Sequence, residues 1–115
     1  MLFKILVVDD SATDRLIIKN ILGDYSVLTA SDGVEALHTL EEHEEINLMI
    51  LDLNMPNMDG FQLLEALKAN DRYKNLRTII LTNYDELDNE IKGLKHGAVD
   101  YIRKPIQMDS LKARN

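Results

Sequence analysis

Cysteine is absent from the 115 residues, which excludes a disulfide framework, a thiolate metal site and a cysteine nucleophile. That absence suits a reducing compartment. Cations are also scarce: 13 Lys and Arg against 20 Asp and Glu leave a formal charge of −7. Such a chain lacks the clustered cations that grip nucleic acid or an anionic membrane surface. Long apolar runs are missing too, and none approaches the ~18 residues of a membrane span. The apolar start, Met1 to Val8, meets Asp9 and Asp10 at once and has no small-residue cleavage site, so it does not read as a signal peptide. No linker, low-complexity tract or internal repeat breaks the chain. His38, His43 and His96 share no ligand spacing and read as neither metal ligands, bases nor phosphodonors. A cytoplasmic location is expected.

What is present is an ordinary globular balance, 45% apolar and 29% charged, in a chain of single-domain length. Ile5 to Val8 reads as a first buried strand, ended by Asp9-Asp10-Ser11. Ser11-Ala12-Thr13-Asp14 has the form of a capping box, after which Ile17, Ile18, Ile21 and Leu22 recur at helical spacing and Gly23 closes the helix. Ser26 to Ala30 is a second strand, broken by Asp32-Gly33. Val34, Leu37 and Leu40 begin a second helix that runs into Glu41 to Glu45, read as a solvated helix end. Leu48 to Leu51 is a third strand ending in the carboxylate of Asp52, and Met55-Pro56 turns the chain.

Asn57-Met58-Asp59-Gly60 is a turn whose glycine is expected to supply a special φ. Phe61, Leu64 and Leu67 then mark a third helix, Arg77 to Thr82 a fourth strand, and Leu87, Ile91 and Leu94 the stripe of a fourth helix stopped by Gly97. Val99 to Ile102 reads as a fifth strand, stopped by Arg103-Lys104-Pro105. Met108 and Leu111 open a last, short or truncated helix. Five alternations of strand and helix with short connections imply right-handed βαβ units and a parallel sheet covered by helices on both faces.

In such a sheet the ligand site lies at the carboxyl ends of the strands. Those ends carry Asp9 and Asp10, Asp52, Thr82 and Lys104. Three crowded carboxylates need a cation, and all-oxygen ligation suits Mg²⁺. An ammonium and a hydroxyl beside it would hold phosphoryl oxygens. A lone buried carboxylate is costly, so Asp52 is expected at the strand's exposed end with a cationic partner.

Each residue also has a plainer reading. Asp9 and Asp10 suit the positive end of the following helix. Thr82 is a good strand former or N-cap, a role Asn83 or Asp85 would fill as well. Lys104 before Pro105 suits a solvated turn, and Tyr101 an edge strand. Met55, Met58 and Met108 suit gap-filling or loop positions.

Taken together, the acidic pair Asp9-Asp10, Asp52 followed by Leu53-Asn54-Met55-Pro56, Asp59-Gly60, Thr82, Gly97-Ala98-Val99-Asp100-Tyr101 and Lys104-Pro105 resemble, in order and spacing, the receiver domain of a two-component response regulator. The resemblance covers residues 1–115 and implies a flavodoxin-like, doubly wound five-stranded parallel sheet of order 2-1-3-4-5. It implies a phosphorylation-activated switch, not an enzyme beyond its own phosphorylation and dephosphorylation. Asp52 would take the phosphoryl group from a phosphohistidine on a histidine kinase or phosphotransfer protein. Asp10, Asp52 and the backbone carbonyl of Asn54 would ligate Mg²⁺, with Asp9 acting through water. Thr82 and Lys104 would contact the phosphoryl oxygens, Tyr101 would rotate inward with Thr82, and the bond before Pro105 would be cis.

The same resemblance allows a phosphorylation-dependent homodimer through the surface of the fourth helix, fifth strand and last helix. Asp109 to Arg114 resembles receivers that lead into an output domain, such as one that makes or degrades a cyclic dinucleotide. The chain departs from the family pattern at Asn83, where a very small residue is usual, and a larger amide there would narrow access to the phosphoryl group. Asn54 and Tyr84 stand where the family tunes phosphoryl lifetime. Two alternatives remain. A Mg²⁺-dependent phosphohydrolase with an aspartate nucleophile would carry a second acid two residues on, where this chain has Asn54. A receiver-like module that binds partners without phosphorylation would not need the full set of site residues.

Overall fold

The computed structural model describes residues 4–53, 60–83, 91, 92, 94, 95 and 97–104, with the backbone alone at 82, 83, 103 and 104. Five strands form one parallel sheet in the order β2-β1-β3-β4-β5. They are β1 (Lys4–Val8), β2 (Ser26–Ala30), β3 (Ile46–Asp52), β4 (Arg77–Asn83) and β5 (Asp100–Lys104). Helices α1 (Ala12–Ile21), α2 (Gly33–Glu42) and α3 (Gly60–Lys68) connect the first four, with a short 3-10 turn at Asp71–Tyr73 before β4. The reversal of strand order beside β1 is the switch point of a doubly wound sheet, where the site is expected.

The continuous apolar runs make sense because side chains alternate between two covered faces. Leu6, Val8, Met49, Leu51 and Ile80 point into one core, packed with Ala36 and Leu40 of α2 and Leu63, Leu64 and Leu67 of α3. Ile5, Val7, Leu48, Ile50, Ile79, Leu81 and Ile102 point the other way, packed with Ile18, Ile21 and Leu22. Each such Val, Leu, Ile or Met side chain contributes roughly 1.5–3 kcal/mol on full burial. One irregularity interrupts the ladder: Lys4 pairs with Ile46 but Ile5 with Leu48, and the skipped Asn47 turns its Oδ1 to the Lys4 N–H at 3.1 Å.

Ser11 caps α1 as expected, its Oγ accepting from the Asp14 N–H at 3.2 Å. Asp32 caps α2 through the Glu35 N–H, while the Glu35 carboxylate reaches back to the Ser31 hydroxyl at 2.6 Å. Gly97, expected to stop its helix, does so with φ +105 and an N–H donated to Leu94, a left-handed terminator.

Several expectations need correction. Gly23 lies beyond the C-cap, Leu22, and is not left-handed, so it does not end α1 by its φ. Gly60 is not left-handed either; it is the first residue of α3, and a Cβ there would lie 2.7 Å from the Leu53 Cα and 2.9 Å from the Asp52 carbonyl oxygen. Close approach requires this glycine. Ile91 and Leu94, two of the three residues in the stripe expected for the fourth helix, are 46% and 40% exposed, and Leu87 lies outside the described residues. β5 continues through Lys104, and Val99 precedes it, donating its N–H to Thr78 at 2.8 Å.

The acidic run is not simply solvated. Glu45 accepts from Lys4 Nζ at 2.7 Å and lies 3.2 Å from His43 Nδ1. Glu44 pairs with Arg72 at 2.8 Å, and the same guanidinium donates to the Glu41 carbonyl oxygen. Hydrogen bonds from Lys4 first, then from the backbone at Glu45 and from His43, hold the Glu45 carboxyl down at about 2.

Candidate functional site

All five strands point their carboxyl ends to one edge. β1 ends at Val8, paired with Leu51, so Asp9 leaves the sheet beside Asp52, the last residue of β3. The Asp9 N–H still donates to Ala30 of β2 at 3.1 Å, which holds the chain in the sheet one residue past the strand. Beyond it the Asp9 Oδ1 accepts the Ser11 N–H at 2.9 Å, and Arg15 Nη1 donates to the Asp9 carbonyl oxygen at 2.6 Å. The acidic turn is thus fixed from the sheet on one side and from α1 on the other.

These placements bring Asp9, Asp10 and Asp52 together, with one carboxylate oxygen from each within 4.8 Å of the others. Asp9 is 0% exposed and Asp52 5%, whereas Asp10 is exposed. Asp52 was expected at an exposed strand end; it is buried instead, and the start of α3 packs down on Leu53 beside it. The Gly60 N–H donates to the Leu53 carbonyl oxygen at 3.1 Å, and the missing Cβ permits that contact.

The donor set fits a hard divalent cation. Opposite ligands of an octahedral Mg²⁺ at 2.0–2.1 Å stand about 4.2 Å apart. Carboxylate oxygens within 4.8 Å of one another need only small adjustments, or one intervening water, to share such an ion. Asp9, Asp10 and Asp52 supply three of the hard oxygen donors that such an ion takes.

Strand register places the other predicted residues by backbone. Asp52 pairs with Leu81, so Thr82 stands one residue further along the neighbouring strand; Thr82 pairs with Arg103 and Asn83 with Lys104. Thr82 and Lys104 therefore reach the same edge as the three carboxylates. Tyr101 is half-buried on β5 and packs against the core shared with α2 and α3, its N–H donating to the Asp100 carboxylate at 2.8 Å. Asn54, Tyr84 and Pro105 lie outside the described residues.

Arg15 escaped the sequence reading. The available signal was a cation four residues after an N-cap, where the helix dipole disfavours it and a local acceptor is called for. Among the described residues no helix is long and apolar enough to cross a membrane.

Comparison with known proteins agrees with this geometry. The family model for the response regulator receiver domain matches residues 5–115. A chemotaxis protein CheY homolog of Campylobacter jejuni is 40% identical over 114 residues, covering 96% of this chain and 88% of its own. The crystal structure of Vibrio cholerae chemotaxis protein CheY4 superposes with a TM-score of 0.90 at 32% identity, covering 99% of this chain and 96% of that one. A probable two-component system response regulator/GGDEF domain protein superposes with a TM-score of 0.91 at 34% identity; 97% of this chain matches 47% of that longer one. With the strand order, the acidic pocket and the family match in agreement, the chain belongs to the response regulator receiver domains, the phosphorylation-activated switches of two-component signalling.

Proposed function

We propose that Asp52 is the phosphoacceptor and that Asp9, Asp10 and Asp52 hold the Mg²⁺ that phosphorylation requires. The observation that carries this reading is the convergence of three carboxylates, two of them buried, at the carboxyl edge of the sheet. Asp10, Asp52 and the Asn54 backbone carbonyl would be the direct ligands, and Asp9 would act through water. When bound, Mg²⁺ supplies the positive charge that offsets carboxylate repulsion and draws in phosphoryl oxygens.

A carboxylate oxygen of Asp52 attacks the phosphorus of a phosphohistidine on the partner kinase or phosphotransfer protein. A P–O bond forms, the P–N bond breaks, and its electron pair stays with the imidazole nitrogen, which takes up a proton from solvent. Lys104 and Thr82 contact the phosphoryl oxygens, a role supported by the register that carries both backbones to this edge. Thr82 then shifts and Tyr101 turns inward, changing the surface made by β5 and the preceding helix.

That surface exposes Ile91, Leu94 and Val99, at 46%, 40% and 56%, a fit for an effector, an output domain or a second copy once the switch is set. The domain's chemistry is confined to gaining and losing its own phosphoryl group, and its setting is the cytoplasm.

The test is intact mass after incubation with Mg²⁺ and acetyl phosphate. The wild-type chain gains one phosphoryl group and Asp52→Asn gains none; labelling of that mutant to the wild-type level would sink the assignment. Repeated turnover on phosphate esters, instead of one stoichiometric label, would point to a phosphohydrolase.

A further inference from the structure

Of the three clustered carboxylates, Asp9 and Asp52 are fixed by burial, but Asp10 is exposed and depends on the backbone that carries it. The peptide plane joining Asp9 to Asp10 contains the Asp9 carbonyl oxygen, so whatever holds that oxygen sets the direction in which Asp10 leaves the chain. The contact is made by Arg15, whose half-buried Nη1 donates at 2.6 Å across six residues. Two other bonds at this turn, the Asp9 N–H to Ala30 and the Ser11 N–H to Asp9 Oδ1, hold the neighbouring atoms without reaching the carbonyl.

A hydrogen bond from a guanidinium is charge-assisted and stronger than a neutral one. The cation lies in the first turns of α1, where the helix dipole opposes it, so its placement has a local cost that the Asp9 contact offsets.

We propose that Arg15 is a positioning residue of the cation site: through the Asp9 carbonyl it orients Asp10 for the ion without touching the ion itself. The proposal rests on the reading that Asp9, Asp10 and Asp52 hold Mg²⁺. Partners that orient metal ligands typically change affinity by 10- to 100-fold, and one backbone contact belongs at the low end.

The test is calorimetric titration of the full chain with Mg²⁺, beside melting curves in chelator. Arg15→Met keeps an unbranched stem and removes donor and charge. It binds Mg²⁺ about tenfold more weakly while melting as wild type does in chelator. Arg15→Lys, which restores charge and a donor, recovers part of the loss. At saturating Mg²⁺, labelling by acetyl phosphate returns to the wild-type rate in both variants, because the residue acts on the ion and not on the phosphoryl group. Should Arg15→Met fail to fold, Arg15→Gln carries the same expectation. Wild-type affinity in the Met or Gln variant, or a Lys variant no better than Met, would overturn the role of Arg15. Absence of Mg²⁺ binding in the wild-type chain would instead remove the reading on which it rests.

Discussion

At the amino edge of the sheet, Glu44 and Glu45 meet Arg72, Lys4 and His43 in the open, each pair within 3.2 Å. At the carboxyl edge, Asp9 and Asp52 are buried and crowd Asp10 within 4.8 Å. Two ionised carboxylates at such a spacing repel by about 3 kcal/mol at an effective dielectric of ~20, whereas exposed opposite-charge pairs typically contribute a fraction of that in stability. The amino edge is therefore built to be electrostatically quiet. The carboxyl edge crowds three carboxyl groups that repel one another when ionised, and a bound cation would relieve that repulsion.

The glycines sharpen the same contrast. Gly60 presses α3 onto the end of β3 beside Asp52, and Gly23 follows α1 at the opposite edge, where a Cβ would find only the Asn20 carbonyl oxygen at 3.4 Å. Gly60→Ala is expected to cost about 3 kcal/mol, the upper range of overpacking, because the obstructing atoms are mainly backbone. Gly23→Ala is expected to stay within ~1 kcal/mol of wild type and to stabilise, since alanine narrows the unfolded ensemble without a φ penalty. Urea unfolding of the two variants decides it. Equal destabilisation would mean that the two edges are packed alike.

Ligand addition probes the carboxyl edge directly. At a Mg²⁺ concentration 100 times its dissociation constant, folding stability rises by about 2.7 kcal/mol. Asp10→Asn, with less repulsion and one ligand fewer, starts at least as stable in chelator and loses most of that gain. Melting with and without Mg²⁺ reads both numbers. A mutant that responds to Mg²⁺ as wild type does would take Asp10 out of the site. Arg15→Met lies between these two chains, for its ligands are intact and only their orientation is relaxed.

Much of this was legible in the sequence. The central strands β1, β3 and β4 announced themselves as apolar runs because both faces of a parallel sheet are covered there, and listing the residues at the strand ends was enough to collect Asp9, Asp10, Asp52, Thr82 and Lys104 at one edge. What stayed hidden depended on contacts between segments far apart in sequence. Gly60 was expected to be a φ requirement, but the requirement is the approach of Leu53, which no local pattern reports. Ile91 and Leu94 have helical spacing, and spacing alone does not say whether an apolar stripe faces a core or a partner. Glu44 found its cation on Arg72, 28 positions away in the numbering, in a 3-10 turn that carries no strong periodic signal.

The smallest effect belongs to the amino edge and is read by pH. Lys4, with the backbone and His43, holds the Glu45 carboxyl down at about 2, against an ordinary 4.5. A carboxyl depressed in the folded state adds stability that is fully present above 4.5 and is lost as pH falls through about 2. Glu45→Gln should therefore be slightly less stable than wild type at neutral pH, and the gap should close across that acid window. Because the pair is solvent-exposed, added salt should shrink the gap as well. Unfolding curves for both chains from neutral pH down to pH ~2, at low and high salt, measure it. A gap that persists at the acid end would assign the role of Glu45 to packing or backbone geometry, and the amino edge would then owe its quiet behaviour to something other than paired charge.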